Sequence, residues 1–373
     1  MHQAFQNIMS FWLQRGVGGF RFDAITQLYE DPSLTNETVL KDENGKPRIN
    51  AYGDPELDDS KTNNLPAVHT VMQEMRAHAD TFDSSQFPDT RVLIGETYVP
   101  TIADLRKMYG PPGKPEFELP MDTQLAFINK LDVAEFREKL VEIETGAGGH
   151  TPLLLFDNHD NPRIDARYGD GVHNLAIERA LAAVLFMSRG TALMYYGDEI
   201  GMKTTPPARK EDVKDPIGIT GWPQNKGRDG ERTPMQWNDG GNAGFTTGTP
   251  WLPVPPSADR VNVKAEEGSP DSLLAWYSAL IRLKKTTPAL ERGSNTMLDT
   301  ENTKVLSWVR QAPGAAAVVV SANFTAEPQT VNLAAGVKGS ALHTLLKSPG
   351  EAEPASPGHI ELGPFGVYIG EVQ

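Results

Sequence analysis

Three carboxylates in this chain sit where chemistry is commonly done. Asp23 ends the run Val17-Gly18-Gly19-Phe20-Arg21-Phe22-Asp23. Glu96 ends Arg91-Val92-Leu93-Ile94-Gly95-Glu96. Asp160 follows Pro152-Leu153-Leu154-Leu155-Phe156-Asp157 in the cluster Asp157-Asn158-His159-Asp160. Each run reads as a buried-type strand with its acid at the C-terminal end. Three carboxylates at strand ends, one beside a histidine, suit glycoside hydrolysis, which needs one carboxylate as nucleophile and one carboxylic acid as proton donor. The transition state is oxocarbenium-like, so further carboxylates around it stabilise its positive charge. Arg21 lies two residues before Asp23 and so on the same strand face, where its charge keeps Asp23 ionised. Glu96, as an acid at neutral pH, needs burial and nearby carboxylates to raise its pKa. Other readings stay open: Asp23 as a helix N-cap, Glu96 as a solvated strand end, and Asp157, His159 and Asp160 as ligands of a divalent ion.

Such acids need a scaffold, and the pattern supplies one. Phe5, Ile8, Met9, Trp12 and Leu13 repeat at helical spacing and predict a helix with one buried face, stopped at Gly16. Residues 25–64 are polar and turn-rich. Helices are expected over Leu65–Ala79, Asp132–Ile143, Asn174–Ser188 and Ser272–Lys285. Strands are expected at 17–23, 91–96, 117–121, 152–157 and 191–196. Alternating strands and helices imply parallel βα units. Charged groups at strand C-termini favour a (β/α)₈ barrel, whose catalytic face lies there, over a doubly wound open sheet. From about residue 291 the texture changes to short strands (305–310, 316–320, 330–333, 366–369) separated by Gly, Pro and Asn. The expected organisation is therefore a barrel portion over 1–290 and an antiparallel β domain, a sandwich, over 291–373, with 348–358 as a surface loop.

Composition narrows the partners. The chain has 373 residues, with 35 Lys+Arg against 49 Asp+Glu, a net charge of −14. That charge speaks against nucleic acid or an anionic membrane as partner, since both are polyanions. No apolar run is long enough to span a bilayer. The absence of Cys excludes disulfides, thiolate metal sites and Cys nucleophiles. No signal-peptide pattern follows Met1, which predicts a cytoplasmic location. There is no P-loop, dinucleotide fingerprint, H-E-x-x-H or G-x-S-x-G motif.

The stretches Gly19-Phe20-Arg21-Phe22-Asp23-Ala24, Ile94-Gly95-Glu96-Thr97-Tyr98 and Phe156-Asp157-Asn158-His159-Asp160-Asn161-Pro162-Arg163 resemble the second, third and fourth signature regions of the alpha-amylase family of glycoside hydrolases, in order and spacing. Gly227-Arg228-Asp229-Gly230-Glu231-Arg232-Thr233-Pro234-Met235-Gln236-Trp237, followed by Asn242-Ala243-Gly244-Phe245, resembles the alpha-glucosidase and oligo-1,6-glucosidase branch. The resemblance implies Asp23 as nucleophile, Glu96 as general acid/base and Asp160 as the third carboxylate, gripping the sugar 2-OH and 3-OH. It implies Arg21 and His159 as ligands of the glucose at the cleavage site, with Arg232 clamping its hydroxyls. Arg232 also reads as a loop salt-bridge residue. Trp222, Trp237 and Trp251 read either as sugar platforms or as loop packing.

By the same resemblance the substrates are maltose-like oligosaccharides or short α-glucosides, cut from the non-reducing end. Ala24 beside the nucleophile resembles members that favour α-1,4 linkages. A transglucosylase or a trehalose or sucrose isomerising enzyme of the same branch is the alternative, and an inactive remnant is a further one. No cofactor is expected. The five strands correspond to the family's strands four to eight. The expected barrel is thus incomplete, lacking the first three strands and any calcium site they would carry, with a partner chain as one source of the missing strands.

Overall fold

The computed structural model describes residues 1–50, 54–82, 91–354 and 356–373. Of the expected loops 25–64 and 348–358, residues 51–53 and 355 lie outside the described residues. The chain divides into two compact units, residues 1–124 with 145–153 and residues 125–144 with 154–373.

The first unit opens with α1 (His2–Leu13). Only part of its expected buried face is buried. Met9 and Leu13 enter the core, whereas Phe5, Ile8 and Trp12 remain 42%, 55% and 48% exposed. The helical spacing located the apolar stripe, but α1 meets its neighbour along one edge of it. Ser10 of α1 lies 2.8 Å from the His78 ring of α2 (Pro66–Asp80). Gly16 follows with φ +89°, the left-handed conformation expected of a residue that ends a helix. Between α1 and α2 lies β1 (Gly19–Phe22), shorter than the run that predicted it.

β2 (Val92–Gly95) pairs in parallel with β1, from Gly19 opposite Val92 to Phe22 opposite Gly95. The approach at Gly19 is so close that a Cβ there would collide with the Val92 carbonyl oxygen. α3 (Ile102–Lys107) follows, with Thr101 accepting from the Asp104 amide as N-cap. β3 (Leu119–Asp122) then pairs with β2 at Ile94 and Leu119. Val68, Met72 and Met75 of α2 pack with Leu93 and Phe117 beneath these strands. Burying such side chains stabilises by about 1.5–3 kcal/mol each. Residues 25–50 and 54–64 contain one short 3₁₀ turn and isolated bridges, as their polar composition implies.

α4 (Val133–Gly146) starts at Asp132, whose side chain accepts from the Ala134 amide. β4 (Leu153–Leu154) ends with Leu154, whose carbonyl accepts from Leu193 just past β5 (Thr191–Ala192). Between them come α5 (Ile164–Tyr168) and α6 (Asn174–Met187). From Ala180 to Met187 α6 is continuously buried, consistent with its Ala/Leu-rich sequence. Past β5, residues 197–270 form turns with two short helices, α7 (Pro216–Gly221) and α8 (Val263–Glu266). α9 (Leu273–Thr286) packs against α6, where Phe186 meets Tyr277 edge to face, and α10 (Pro288–Arg292) follows it.

The C-terminal strands are antiparallel. β6 (Ser294–Leu298), β7 (Val305–Gln311), β8 (Val318–Asn323), β10 (Leu342–Lys347) and β12 (Val367–Val372) form one sheet in the order β10-β12-β8-β7-β6. β9 (Gln329–Val331) and β11 (Ile360–Leu362) pair separately. Val331, Ile360 and Leu362 share a core with Val309, Val319 and Tyr368, so the pair covers one face of the larger sheet. Three strands, β6, β10 and β11, go beyond the sequence expectation.

Candidate active site

The predicted residues fall into two groups, each organised within its own unit. In the first unit Asp23 and Glu96 follow β1 and β2, and the parallel register makes them successors of the paired Phe22 and Gly95. The Glu96 amide donates to the Phe22 carbonyl at 2.9 Å, carrying the ladder one step past the strands. Arg21 donates to the Asp23 carboxylate, and its other terminal nitrogen lies 2.6 Å from Glu96 Oε1. The second Glu96 oxygen accepts from the Ala24 amide at 2.9 Å. Ala24 turns sharply for this, with φ +43° and ψ +39°, a region a non-glycine residue rarely occupies. Glu96 is buried, its side chain 5% exposed, whereas that of Asp23 is 73% exposed. The pair thus combines an accessible nucleophile candidate and a buried acid candidate on one guanidinium. Arg21 was placed on the Asp23 face by strand alternation, but its bond to Glu96 was not foreseen.

In the second unit Asn158 shapes the turn after β4. Its side-chain oxygen accepts from the amides of Asp160 and Asn161 at 2.8 and 3.0 Å. This presents Asp160 to two arginines, Arg228 and Arg232, each donating to Asp160 Oδ1 at 2.7 Å. Arg232 also donates to the His159 carbonyl at 2.8 Å, and the His159 ring stands 3.6 Å from Asp160 Oδ2. Arg232 is thus an ion-pair residue, and its partner is Asp160, the candidate third carboxylate. Arg228 was quoted within its motif without a role. Its spacing of four residues from Arg232 in a glycine-rich turn was the available signal. It further binds Asp215 through Nε at 2.9 Å and Nη2 at 3.1 Å, and these bonds hold the Asp215 carboxyl down at about 2.

Behind this turn lies a buried network. Asp157 accepts from the Ile164 amide at 3.1 Å. Burial and the neighbouring Asp157 carboxylate push Asp198 well above the usual carboxylate range. Arg163 is fully buried and donates to Asp198 at 3.2 Å, to the Tyr196 carbonyl at 2.7 Å and to the Glu231 carbonyl at 3.0 Å. It therefore joins three segments: the turn after β4, the turn after β5 and the Gly227–Arg232 stretch. Of the tryptophans, Trp237 and Trp251 are exposed, and Lys226 sits 5.2 Å over the Trp222 ring. Within each group the carboxylates face guanidinium donors.

Residues 1–293 match the alpha-amylase catalytic-domain family, and the chain belongs to that family. Its barrel-type βα portion is followed by the antiparallel β domain described above. Residues 302–369 match the C-terminal immunoglobulin-like domain of D-apionate lactonase. The chain is 30% identical over 338 residues to a probable oligo-1,6-glucosidase 2 of Bacillus subtilis, covering 83% of this chain and 58% of that protein. It is 31% identical over 320 residues to a probable alpha-glucosidase of Rhizobium meliloti, covering 83% of this chain and 55% of that protein. The solved structure of a trehalulose synthase MutB mutant in complex with Tris aligns with 100% of this chain and 68% of its own, at 28% identity and a TM-score of 0.83. The alpha-glucosyl transfer enzyme XgtA aligns with 100% of this chain and 67% of its own, with the same identity and TM-score. The chain thus spans about six-tenths of the length of these curated relatives. Among the described residues, no helix is long and apolar enough to cross a membrane.

Proposed function

We propose that this chain carries the catalytic groups of a retaining alpha-glucosidase that releases glucose from the non-reducing end of short α-glucosides, with α-1,4 linkages favoured. The observation that carries the reading is Arg21, which holds Asp23 and Glu96 together at the ends of two register-paired strands. In the reaction, the Asp23 carboxylate attacks the anomeric carbon as the glycosidic C–O bond breaks. Glu96 gives its proton to the departing oxygen, leaving a glucosyl ester on Asp23. Glu96, now a carboxylate, takes a proton from water as that water attacks the ester, and glucose and free Asp23 result. Asp160, fixed by Arg228 and Arg232, is the third carboxylate of this reading and accepts bonds from sugar hydroxyls. The similarity to oligo-1,6-glucosidases and an alpha-glucosidase supports the glucosidase class. Ala24 supports the α-1,4 preference.

A second reading, transfer of the glucosyl group to a sugar instead of water, is favoured by the similarity to a trehalulose synthase and an alpha-glucosyl transfer enzyme.

The test is release of p-nitrophenol from p-nitrophenyl α-glucoside by the chain and by Asp23→Asn. Activity abolished by the substitution supports the nucleophile; activity that survives it overturns the assignment. Maltose against isomaltose decides the linkage, and product analysis on sucrose decides between hydrolysis and transfer.

A further inference from the structure

A groove of about 550 Å³ lies in the first unit, away from Asp23 and Glu96. Its walls come from α2 (His69, Gln73), α3 (Arg106, Lys107), the turn at 110–112 and the segment at 148–150. These segments lead toward the N-terminal ends of β3 and β4, whereas the candidate catalytic residues follow the C-terminal ends of β1 and β2. In a chain of net charge −14 the groove collects cationic and ring-nitrogen donors.

Arg106 is the central group. Among the described residues no hydrogen bond or ion pair holds its guanidinium. One edge of the guanidinium lies against Gly148, where a Cβ would come within 2.7 Å of Arg106 Nε. Gly148 adopts φ +63°, so glycine both permits the turn and leaves room for the arginine. Facing it, His69 is fixed through Nδ1 to Glu116 at 2.8 Å, which leaves Nε2 for a ligand. Glu116 is buried and its other oxygen accepts from Gln73 at 2.9 Å, so both its oxygens are engaged. The His150 ring stacks flat on Tyr109, with centroids 4.1 Å apart, and burial and the Arg106 charge hold its pKa below the ordinary value. Lys107 contributes a second cation, tied to Asp104 at 2.8 Å.

We propose that this groove binds a phosphate-bearing ligand, with Arg106 forking onto the phosphate oxygens and His69 and Lys107 completing the contacts. An unengaged guanidinium in a preformed cleft matches the planar, two-oxygen geometry of a phosphate edge. The volume accommodates a phosphate together with a small organic group such as a sugar. The proposal is independent of the glucosidase reading, since none of its residues belongs to that site.

The test is calorimetric titration of the full chain with inorganic phosphate, glucose 6-phosphate and glucose, with the His150 ring followed by NMR. Saturable binding of either phosphate compound, a rise in the His150 pKa on binding, and a weakening of at least about tenfold in Arg106→Ala are expected. Arg106→Lys should recover part of the affinity, because it restores the charge but not the fork. Tighter binding of glucose 6-phosphate than of phosphate would assign the groove to a sugar phosphate; equal binding would assign it to the free ion. Absence of saturation by both phosphate compounds, or equal affinity in Arg106→Ala, overturns the proposal. Gly148→Ala provides a second variant: its added methyl displaces the Arg106 guanidinium, and undiminished phosphate binding there would also count against the site.

Discussion

Arg228 donates to Asp160 at 2.7 Å while its Nε and Nη2 hold Asp215, so one guanidinium links the third candidate carboxylate to a second acid 55 positions along the chain. A methionine at this position keeps an unbranched apolar stem and removes both links. Charge-assisted bonds contribute about 1.5–3 kcal/mol each, so loss of the bond to Asp160 corresponds to roughly ten- to a hundredfold. Arg228→Met is expected to raise KM for p-nitrophenyl α-glucoside by about that factor. Arg228→Lys should fall between the two. Steady-state kinetics, with circular dichroism to show that the fold is kept, checks this.

Arg163 makes a different prediction, in stability. It is fully buried, and its removal takes a charged donor from the Tyr196 and Glu231 carbonyls and from Asp198. Removing one partner of a buried charged network costs about 3–5 kcal/mol. Arg163→Met should therefore lower the free energy of urea unfolding by that amount. A loss below about 1 kcal/mol, the level of an exposed pair, would remove Arg163 from its role as a tie between the three segments.

The buried Glu178 sets a pH dependence. Desolvation on α6 pushes its carboxyl up to about 8, and its Oε2 has no hydrogen-bond partner among the described residues. In the unfolded chain Glu178 loses its proton near the ordinary glutamate value of 4.5. Between about 4.5 and about 8 the folded state binds more protons, so stability falls as pH rises through that window. The greatest slope from this one group is about 1.4 kcal/mol per pH unit. Glu178→Gln should flatten the fall, as measured by unfolding at pH 5, 6, 7 and 8.

The exposed face of α1 predicts self-association. Phe5, Ile8, Phe11 and Trp12 form an apolar surface on one short helix. Sedimentation of the chain should show concentration-dependent association, and Ile8→Lys with Trp12→Lys should reduce it. Because both side chains are about half exposed, the double variant should change unfolding stability by little more than about 0.5 kcal/mol per site.

The strands that carry the candidate acids are legible in the sequence because each has two coincident signals: an apolar run for the strand and an acid at its end. β1, β2 and β4 are found this way, though each is shorter than its run, β1 starting only at Gly19 and β4 ending already at Leu154. β6 and β11 escaped because alternation over so few residues leaves each only two buried positions. β10 escaped because most of its residues are only partly buried. Arg228 and Arg163 escaped for another reason. Their partners lie 68 residues away, at Asp160 and Glu231 respectively, and no local periodicity records a bond of that span. The burial of α1 was overread because spacing identifies which residues share a face without saying how wide the neighbour is.

The glycine at position 19 gives the chain an Achilles point remote from any sugar. A side chain there would wedge β1 from β2 three residues before the pairing reaches Phe22 and Gly95. The displacement would be inherited by the next residue on each strand, Asp23 and Glu96, the two ends of the proposed proton and glucosyl relay. A lesion at Gly19 should accordingly masquerade as a chemical defect, silencing the proposed turnover while every candidate catalytic side chain is still present.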